Sequence, residues 1–425
     1  MLRATLTLLA GSALAQAVPL LLWPFIARLF TPAAMGVYTA FSTVAATVAV
    51  VACARYEYAL PMARDEGQAA RLLALCLRVA LAVVAASVAL AWGLARWAHL
   101  PLAAWLPVTV AVSGLLSLFM MWSNRAGRFR ALAVSRVVQY GGAAGLQLLL
   151  GALLWRGAAG GSDSAWALAL GPVLAMGLAV LPLLGPAPQG GWRAVFSSGQ
   201  GLRAVARQYR DFPLLNTPHA FLGTLQDALA AALLIAWSGN AAAGFWGLAL
   251  RYLKAPATLV GTAVSQALYP KLTQSDPVQA RRAVREVMAI LGALACALLA
   301  VLLVAGPWLF ERVFGAPWRT AGELARALAP YIAAHFVAAP LAVVTMAWQA
   351  QRWAFRLAVV GQIVFLACLG WGLWSGGAAH GLLRGAWAVS GGMALYFGYY
   401  FWRLARWQDI PASAAMQEVA QEAAQ

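Results

Sequence analysis

The sequence predicts an all-α membrane protein with about twelve transmembrane helices, arranged as two parallel-repeat six-helix lobes around a central cavity. Three observations lead to this fold class. The 425 residues are 63% hydrophobic and only 10% charged, whereas a soluble domain is about half apolar and about a quarter charged. The apolar residues fall into runs of roughly 20, the length that crosses about 30 Å of hydrocarbon. The two halves of the chain also resemble each other.

Twelve apolar runs are predicted to cross the membrane, and short loops connect them. In chain order they are 6–27, 35–57, 72–94, 102–122, 132–154, 165–184, 212–236, 242–268, 286–306, 323–347, 357–374 and 382–402. The remaining stretches are too short for a separate domain, which excludes a soluble catalytic domain on a membrane anchor. The segment Ala13–Ala17 resembles a signal-peptidase site, but the apolar run continues past it, so the first span is expected to be retained.

Basic residues are divided unevenly between the two sides of the predicted membrane. When both termini and the even-numbered loops share one side, that side carries 19 basic residues and the other carries seven. The seven are Arg28, Arg96, Arg156, Arg312, Arg319, Arg326 and Arg384. The positive-inside rule therefore predicts that both termini are cytoplasmic. The same rule accounts for the net charge of +17 without a nucleic-acid partner.

The second half of the chain repeats features of the first. Residues 26–61 align with 235–270 through matching Ile-Ala, Gly, aromatic and Pro positions. The pattern Met-x-Trp-x6-Phe-Arg occurs at 120–130 and again at 346–356. Each repeat holds an even number of spans, so both insert with the same orientation, and parallel repeats place a substrate site between them. The predicted parts are an N-terminal lobe (1–184), a basic cytoplasmic linker (185–211), a C-terminal lobe (212–402) and a cytoplasmic tail (403–425).

Two strings resemble a known family. The first is ARLFTPAAMGVYTAF (27–41), followed by RYE (55–57) and ALP (59–61); the second is GFWGLALRYLKAPATLVGTAVSQALYP (244–270). Both are similar to the polysaccharide (O-antigen, Wzx-type) flippases of the MOP exporter superfamily. This resemblance implies two lobes that open alternately in a bacterial inner membrane. It also implies an undecaprenyl-pyrophosphate-linked oligosaccharide as cargo, with membrane lipids and other polysaccharide-assembly proteins as partners.

Polar residues form one narrow stripe on the eighth predicted span. Their spacing of three or four residues keeps them on one helix face: Arg251, Lys254, Thr258, Thr262, Ser265 and Tyr269. Each cation inside the bilayer costs about 3 kcal/mol or more, so the stripe is expected to face a wet cavity. Arg251 offers a bidentate fork and Lys254 a point charge, which suit a pyrophosphate headgroup. The alternative is a snorkelling pair compensated by its neighbours.

A second polar stripe lies on the seventh predicted span. It consists of Asn216, His219, Gly223, Gln226 and Asp227. An isolated carboxylate at membrane depth is protonated or paired. Asp227 is therefore expected to bind a coupling cation, to pair with Arg251, or to remain a neutral acid hydrogen-bonded inside its lobe. Asn216, His219 and Gln226 are candidates to line the same cavity.

The remaining candidates are single residues. Arg28 ends the first span, where it either caps the helix or joins the headgroup site, and Arg136 either lines the cavity or snorkels. Arg55 and Glu57 are two residues apart, so they do not face each other on a helix. The four cysteines lack metal-ligand spacing, and no cofactor is predicted beyond Na⁺ or H⁺ coupling or the membrane potential. Since the eleventh span offers only Gln362 as a polar partner, a full sodium cage is not expected.

Two other classes of protein remain as alternatives. A MATE-type cation-coupled exporter of small molecules favours acidic cavity residues, whereas the charges inside these spans are mostly basic. A polytopic O-antigen polymerase or ligase requires a long external loop with catalytic groups, and the external loops here are short. Neither an HExxH motif nor a Ser/His/Asp constellation is apparent, so the chain is not expected to be an enzyme.

Overall fold

The computed structural model describes residues 17–156, 164–185, 195, 201–274 and 276–408. Within these ranges the chain consists of helices joined by short turns, and no strand occurs. Nine described helical segments are long and apolar enough to cross a membrane, and one of them, Phe212–Gln274, has 63 residues and can cross twice. The predicted fold class, an all-α multi-pass membrane protein, is confirmed.

The described part of the chain contains eleven α-helices, and all except the short α7 correspond to predicted spans. They are α1 (Ala17–Leu29), α2 (Pro32–Ala49), α3 (Glu66–Arg96), α4 (Leu106–Arg125), α5 (Phe129–Arg156), α6 (Ala165–Val180), the short α7 (Leu202–Gln208), α8 (Thr217–Gln274), α9 (Pro277–Phe314), α10 (Arg319–Ala347) and α11 (Gln351–Ala405). Side chains cap the starts of three of them: Thr31, Asp65 and Asp276 accept hydrogen bonds from backbone N–H groups of the first turns of α2, α3 and α9.

The two longest helices are each broken by a glycine. Gly239 divides α8 into α8a (217–238) and α8b (240–274), and Gly377 divides α11 into α11a (Gln351–Gly377) and α11b (378–405). Their φ angles of 79° and 58° lie in the left-handed region, which glycine adopts without steric cost. Each break falls between two predicted spans, so α8 and α11 each supply two of them.

The second predicted span, 35–57, is wrong at its C-terminal end. The helix α2 ends at Ala49, and Ala54 and Arg55 then adopt φ angles of 48° and 61°. These left-handed residues interrupt the helix, and a 3₁₀ helix, Tyr56–Met62, follows. The apolar run continues through the interruption, so hydropathy alone does not reveal it.

The chain forms two compact units, Met1–Ile235 and Ala236–Gln425, called here the first and second units. This division lies close to the break at Gly239. The predicted lobe boundaries at 184 and 212 were drawn from the repeat and remain a prediction. Most of the predicted linker, 186–194 and 196–200, and the tail from 409 lie outside the described residues.

Close helix packing in the second unit depends on glycines. A Cβ atom on Gly322 of α10 would lie 2.5 Å from the Cα atom of Pro307 in α9. Between α11a and α11b, a Cβ atom on Gly372 would collide with the backbone of Gly385, and one on Gly376 would lie 2.6 Å from Gly381. Small residues four apart allow backbones this close approach, as in membrane helix pairs generally.

Candidate functional site

A cavity of about 540 Å³ with both polar and apolar lining residues belongs to the first unit. Residues of α4, α5, α6 and the 3₁₀ helix line it: Tyr58, Ser113, Leu116, Ser117, Met120, Met121, Arg136, Gln139, Tyr140 and Met176. One guanidinium stands among hydroxyl, phenol and amide groups, with methionines completing the wall. Such a lining can bind a polar molecule that carries a negative charge. The predicted candidate Arg136 is among the residues that line this cavity.

A buried carboxyl group adjoins this cavity. Glu57 is only 4% exposed, and the Ser117 hydroxyl, which lines the cavity, donates a 3.4 Å hydrogen bond to its Oε1 atom. Its Oε2 atom is buried without a hydrogen-bond partner among the described residues. Glu57 lies in the connection between α2 and α3, and burial raises the pKa of its carboxyl group above the ordinary value.

The sequence interpretation did not select Glu57 as a site residue. It treated residues 55–57 as helical, and a helix would point Arg55 and Glu57 in different directions. The left-handed turn changes this geometry: the Arg55 guanidinium lies 4.9 Å from the centre of the Tyr58 ring, and its Nε atom is also buried without a partner among the described residues. One sequence signal could have identified Glu57: it is an acidic residue next to an apolar run, and the chain has only 13 acidic residues.

The cation pair Arg251 and Lys254 lies on α8b in the second unit. The helix is continuous through the predicted stripe, so the two residues are one turn apart on the same side. The side chain of Arg251 is exposed and that of Lys254 is half-buried. Thr258 and Thr262 are exposed, while the Ser265 hydroxyl donates a 3.0 Å hydrogen bond to the carbonyl oxygen of Pro340 in α10.

An aromatic cluster in the second unit includes a histidine close to Lys254. His335 of α10 lies within electrostatic range of Lys254, and the imidazole packs at 5.9 Å from Tyr331 and 6.2 Å from Phe397. Tyr331 in turn contacts the ring of Phe365 in α11a at 5.8 Å. These rings connect α10 to both halves of α11.

The remaining predicted residues are in the first unit. Arg28 is exposed near the end of α1, and Asn216 occupies a π-helical turn just before α8a. His219 is exposed, whereas Gln226 and Asp227 are half-buried on α8a. Asp227 and Arg251 belong to different units, so their pairing remains a prediction. Among the described residues, no cluster of three or more His, Cys, Asp or Glu side chains is placed to hold a metal ion.

Comparison with known proteins agrees with this fold. A solved structure of an inward-facing multidrug resistance MATE family transporter of the MOP superfamily matches with a TM-score of 0.71 over 93% of both chains, at 13% identity. Lipid II flippase MurJ in an inward closed conformation matches with a TM-score of 0.68, covering 95% of this chain and 90% of that one, at 10% identity. The Vibrio cholerae MATE transporter VcmN in the bent form gives a TM-score of 0.54 over 95% of both chains, at 16% identity. No curated protein sequence matches.

The chain is thus a multi-pass membrane protein whose fold is similar to that of these solved transporters and of the flippase. A family model described as "Polysaccharide biosynthesis protein" matches residues 25–323, which is most of the chain. The chain belongs to this polysaccharide biosynthesis family. The resemblance identified from the two sequence strings is confirmed.

Proposed function

We propose that this protein is a flippase, and not an enzyme, that moves an undecaprenyl-pyrophosphate-linked oligosaccharide across the bacterial inner membrane by alternating access. The observation that carries the proposal is the cation pair of α8b, Arg251 and Lys254, on a membrane helix of a chain in this family. The fold is similar to that of MOP transporters, which supports a transport function. Membership of a polysaccharide biosynthesis family supports a saccharide as the cargo. The cations supply the affinity for its charged headgroup.

Arg251 and Lys254 on α8b would bind the pyrophosphate, and Arg28 of α1 remains a candidate cation for that headgroup. The first-unit cavity, with Arg136, Gln139 and Tyr140, presents hydrogen-bonding groups that suit the saccharide part of the same cargo. Lipid-linked oligosaccharide and membrane lipids are therefore the proposed partners, with other polysaccharide-assembly proteins acting before and after translocation.

Deletion of the gene tests this function directly. Surface polysaccharide is expected to disappear, and lipid-linked repeat units are expected to accumulate in the cytoplasmic leaflet, because synthesis continues while translocation stops. The measurement is extraction and mass spectrometry of undecaprenyl-linked saccharides, with complementation by the intact chain as the control. Normal surface polysaccharide without accumulation would reject the proposal.

A MATE-type small-molecule exporter is the second candidate, favoured by the TM-score of 0.71 to a transporter of that kind. Under this alternative, deletion would increase sensitivity to cationic compounds and leave the lipid-linked saccharides unchanged. The basic character of the α8b stripe favours an anionic cargo instead. The same deletion strain therefore separates the two functions.

The proposed orientation predicts opposite labelling of two exposed loop positions. In a variant without native cysteines, Arg64→Cys lies in a predicted cytoplasmic loop and His99→Cys in a predicted external loop. An impermeant maleimide added to intact spheroplasts is expected to label position 99 strongly and position 64 only after permeabilisation. The reverse pattern would overturn the orientation of both termini.

Coupling to Na⁺ or H⁺ at Asp227 predicts that Asp227→Asn impairs translocation by about tenfold while membrane abundance stays unchanged. The amide keeps the shape of the side chain but can neither ionise nor hold a cation. Complementation of the deletion strain, normalised to protein abundance, measures the effect. Glu286→Gln is the matched control, since Glu286 forms an exposed ion pair with Arg282. If membrane abundance and translocation fell together, Asp227 would have only a structural role.

A further inference from the structure

A second cavity in the second unit lies along α11 and has a volume of about 510 Å³. Val360 and Val364 of α11a form one wall, and Leu395 and Tyr399 of α11b form the other. Leu395 is 80% exposed and Val360 is 50% exposed, so the cavity is an open apolar groove on the surface of the helix pair. Its size is within the range of sites that hold small ligands, about 300–1,000 Å³.

The floor of the groove depends on a glycine of α11b. A Cβ atom on Gly392 would lie 2.5 Å from the Cys368 Sγ atom and 3.1 Å from Val364, so the two helices are in close contact below the groove. The lining extends from Trp353 to Val364 on α11a. At 1.5 Å per residue this distance is about 16 Å, close to half of the roughly 30 Å hydrocarbon core. The groove therefore has the length of one membrane leaflet.

One end of the groove carries positive charge. Arg356 lines it and is exposed, and its guanidinium forms no hydrogen bond or ion pair with any residue the structure describes. The helix α11a begins only five residues earlier, at Gln351, and no side chain caps its first N–H groups. Uncapped N–H groups at a helix start and a nearby guanidinium both favour an anion at this position.

We propose that this groove binds an anionic glycerophospholipid, with one acyl chain between α11a and α11b and the head-group phosphate at Arg356. The apolar walls match the chain, the length matches one leaflet, and the unpaired cation lies where the phosphate of that leaflet would be. The site is separate from the α8b stripe, so it exists whatever cargo the protein carries. A bound lipid would fill an open groove between these two helices, beside their contacts at Gly392 and between the Trp353 and Tyr400 rings.

The internal repeat supplies a matched control for the charge. The Phe-Arg pair at 355–356 corresponds to Phe129 and Arg130 in the first half, and Arg130 is likewise exposed near the start of a membrane helix. Arg130 does not line the first-unit cavity described above. A general attraction between lipid phosphate and surface arginines would affect Arg356 and Arg130 equally. A specific binding site in the groove would depend on Arg356 and not on Arg130.

The test uses the full-length protein purified in detergent, with dioleoyl phosphatidylglycerol or dioleoyl phosphatidylcholine added, and native mass spectrometry to count retained lipids. We expect phosphatidylglycerol to be retained about fivefold better than phosphatidylcholine. Arg356→Gln should remove this preference, whereas Arg130→Gln should leave it unchanged. Val360→Trp, which fills the groove from an exposed position, should reduce retention of both lipids. Val301→Trp, at a similarly exposed position on α9, should not.

Equal retention of the two lipids by the unaltered protein would overturn the proposal. An equal effect of Arg356→Gln and Arg130→Gln would also overturn it, because binding would then follow surface charge alone. If undecaprenyl phosphate displaced phosphatidylglycerol from the groove at equal concentration, the occupant would be the isoprenoid and the phospholipid assignment would be wrong. Size-exclusion profiles of all four variants establish that a lost adduct does not reflect a misfolded protein.

Discussion

Replacement of Arg251 by alanine is expected to abolish surface polysaccharide and to trap lipid-linked units in the cytoplasmic leaflet. A pyrophosphate at membrane depth has few waters to hydrate it, and the guanidinium replaces that hydration with two charge-assisted hydrogen bonds. Each contributes roughly 1.5–3 kcal/mol, so translocation should fall by at least about 100-fold. Arg251→Lys keeps the charge without the fork and should retain partial activity. Lys254→Ala should be milder, because Lys254 lies about 60° away around the helix.

The comparison is made in the deletion strain, with surface polysaccharide and accumulated lipid-linked saccharide both measured. Arg282→Ala is the control, since the Arg282 side chain is 81% exposed and forms a surface ion pair with Glu286. A normally inserted Arg251→Ala protein that fully complements the strain would show that the headgroup binds elsewhere. The α8b stripe would then line a cavity without holding the charge.

The largest expected effect on folding follows from Gly372→Ala. The added methyl group would collide with the backbone of Gly385, which cannot move aside as a flexible side chain would. The two halves of α11 would have to separate, at a cost of about 3 kcal/mol. The measurement is the midpoint of thermal unfolding in detergent, followed by tryptophan fluorescence, and a decrease of several degrees is expected.

Gly370→Ala is a closely matched control, two residues earlier in the same helix. A Cβ atom there meets nothing within 4 Å, so alanine should be neutral or should stabilise the helix by up to about 1 kcal/mol. Equal unfolding midpoints for the two variants would mean that α11a and α11b do not depend on this contact. If the unfolding midpoint decreased for both variants, the cause would be a loss of helix flexibility and not a collision between the added methyl group and Gly385.

The sequence predicts the helices well, because runs of about 20 apolar residues have the length that crosses the bilayer, and the internal repeat shows the same pattern twice. Breaks at Gly239 and Gly377 fall between predicted spans, since glycine and polar residues interrupt the apolar runs there. The end of α2 is not predictable in this way. Ala54 and Arg55 adopt left-handed angles that neither residue type prefers, and these angles depend on the packing around them.

The candidate site is only partly predictable for a related reason. A stripe such as that of Arg251 and Lys254 repeats with the helix period, so it is visible in one segment of sequence. The first-unit cavity combines four elements that are distant along the chain, and of its lining residues only Arg136 was a candidate from the sequence. Glu57 and Ser117 are 60 residues apart, and no periodic pattern connects them. Contacts of this kind depend on which helices become neighbours.

The glycine contacts within α11 also have a consequence for biogenesis. The segment Gln351–Gly377 is long and apolar enough to cross a membrane. Gly377 and the facing glycines let the second segment fold back on the first as a tight hairpin. The last helix is therefore expected to leave the translocon together with its partner. While 378–405 is still outside the bilayer, Gly372 and Gly376 lack the backbone against which they pack in the folded protein.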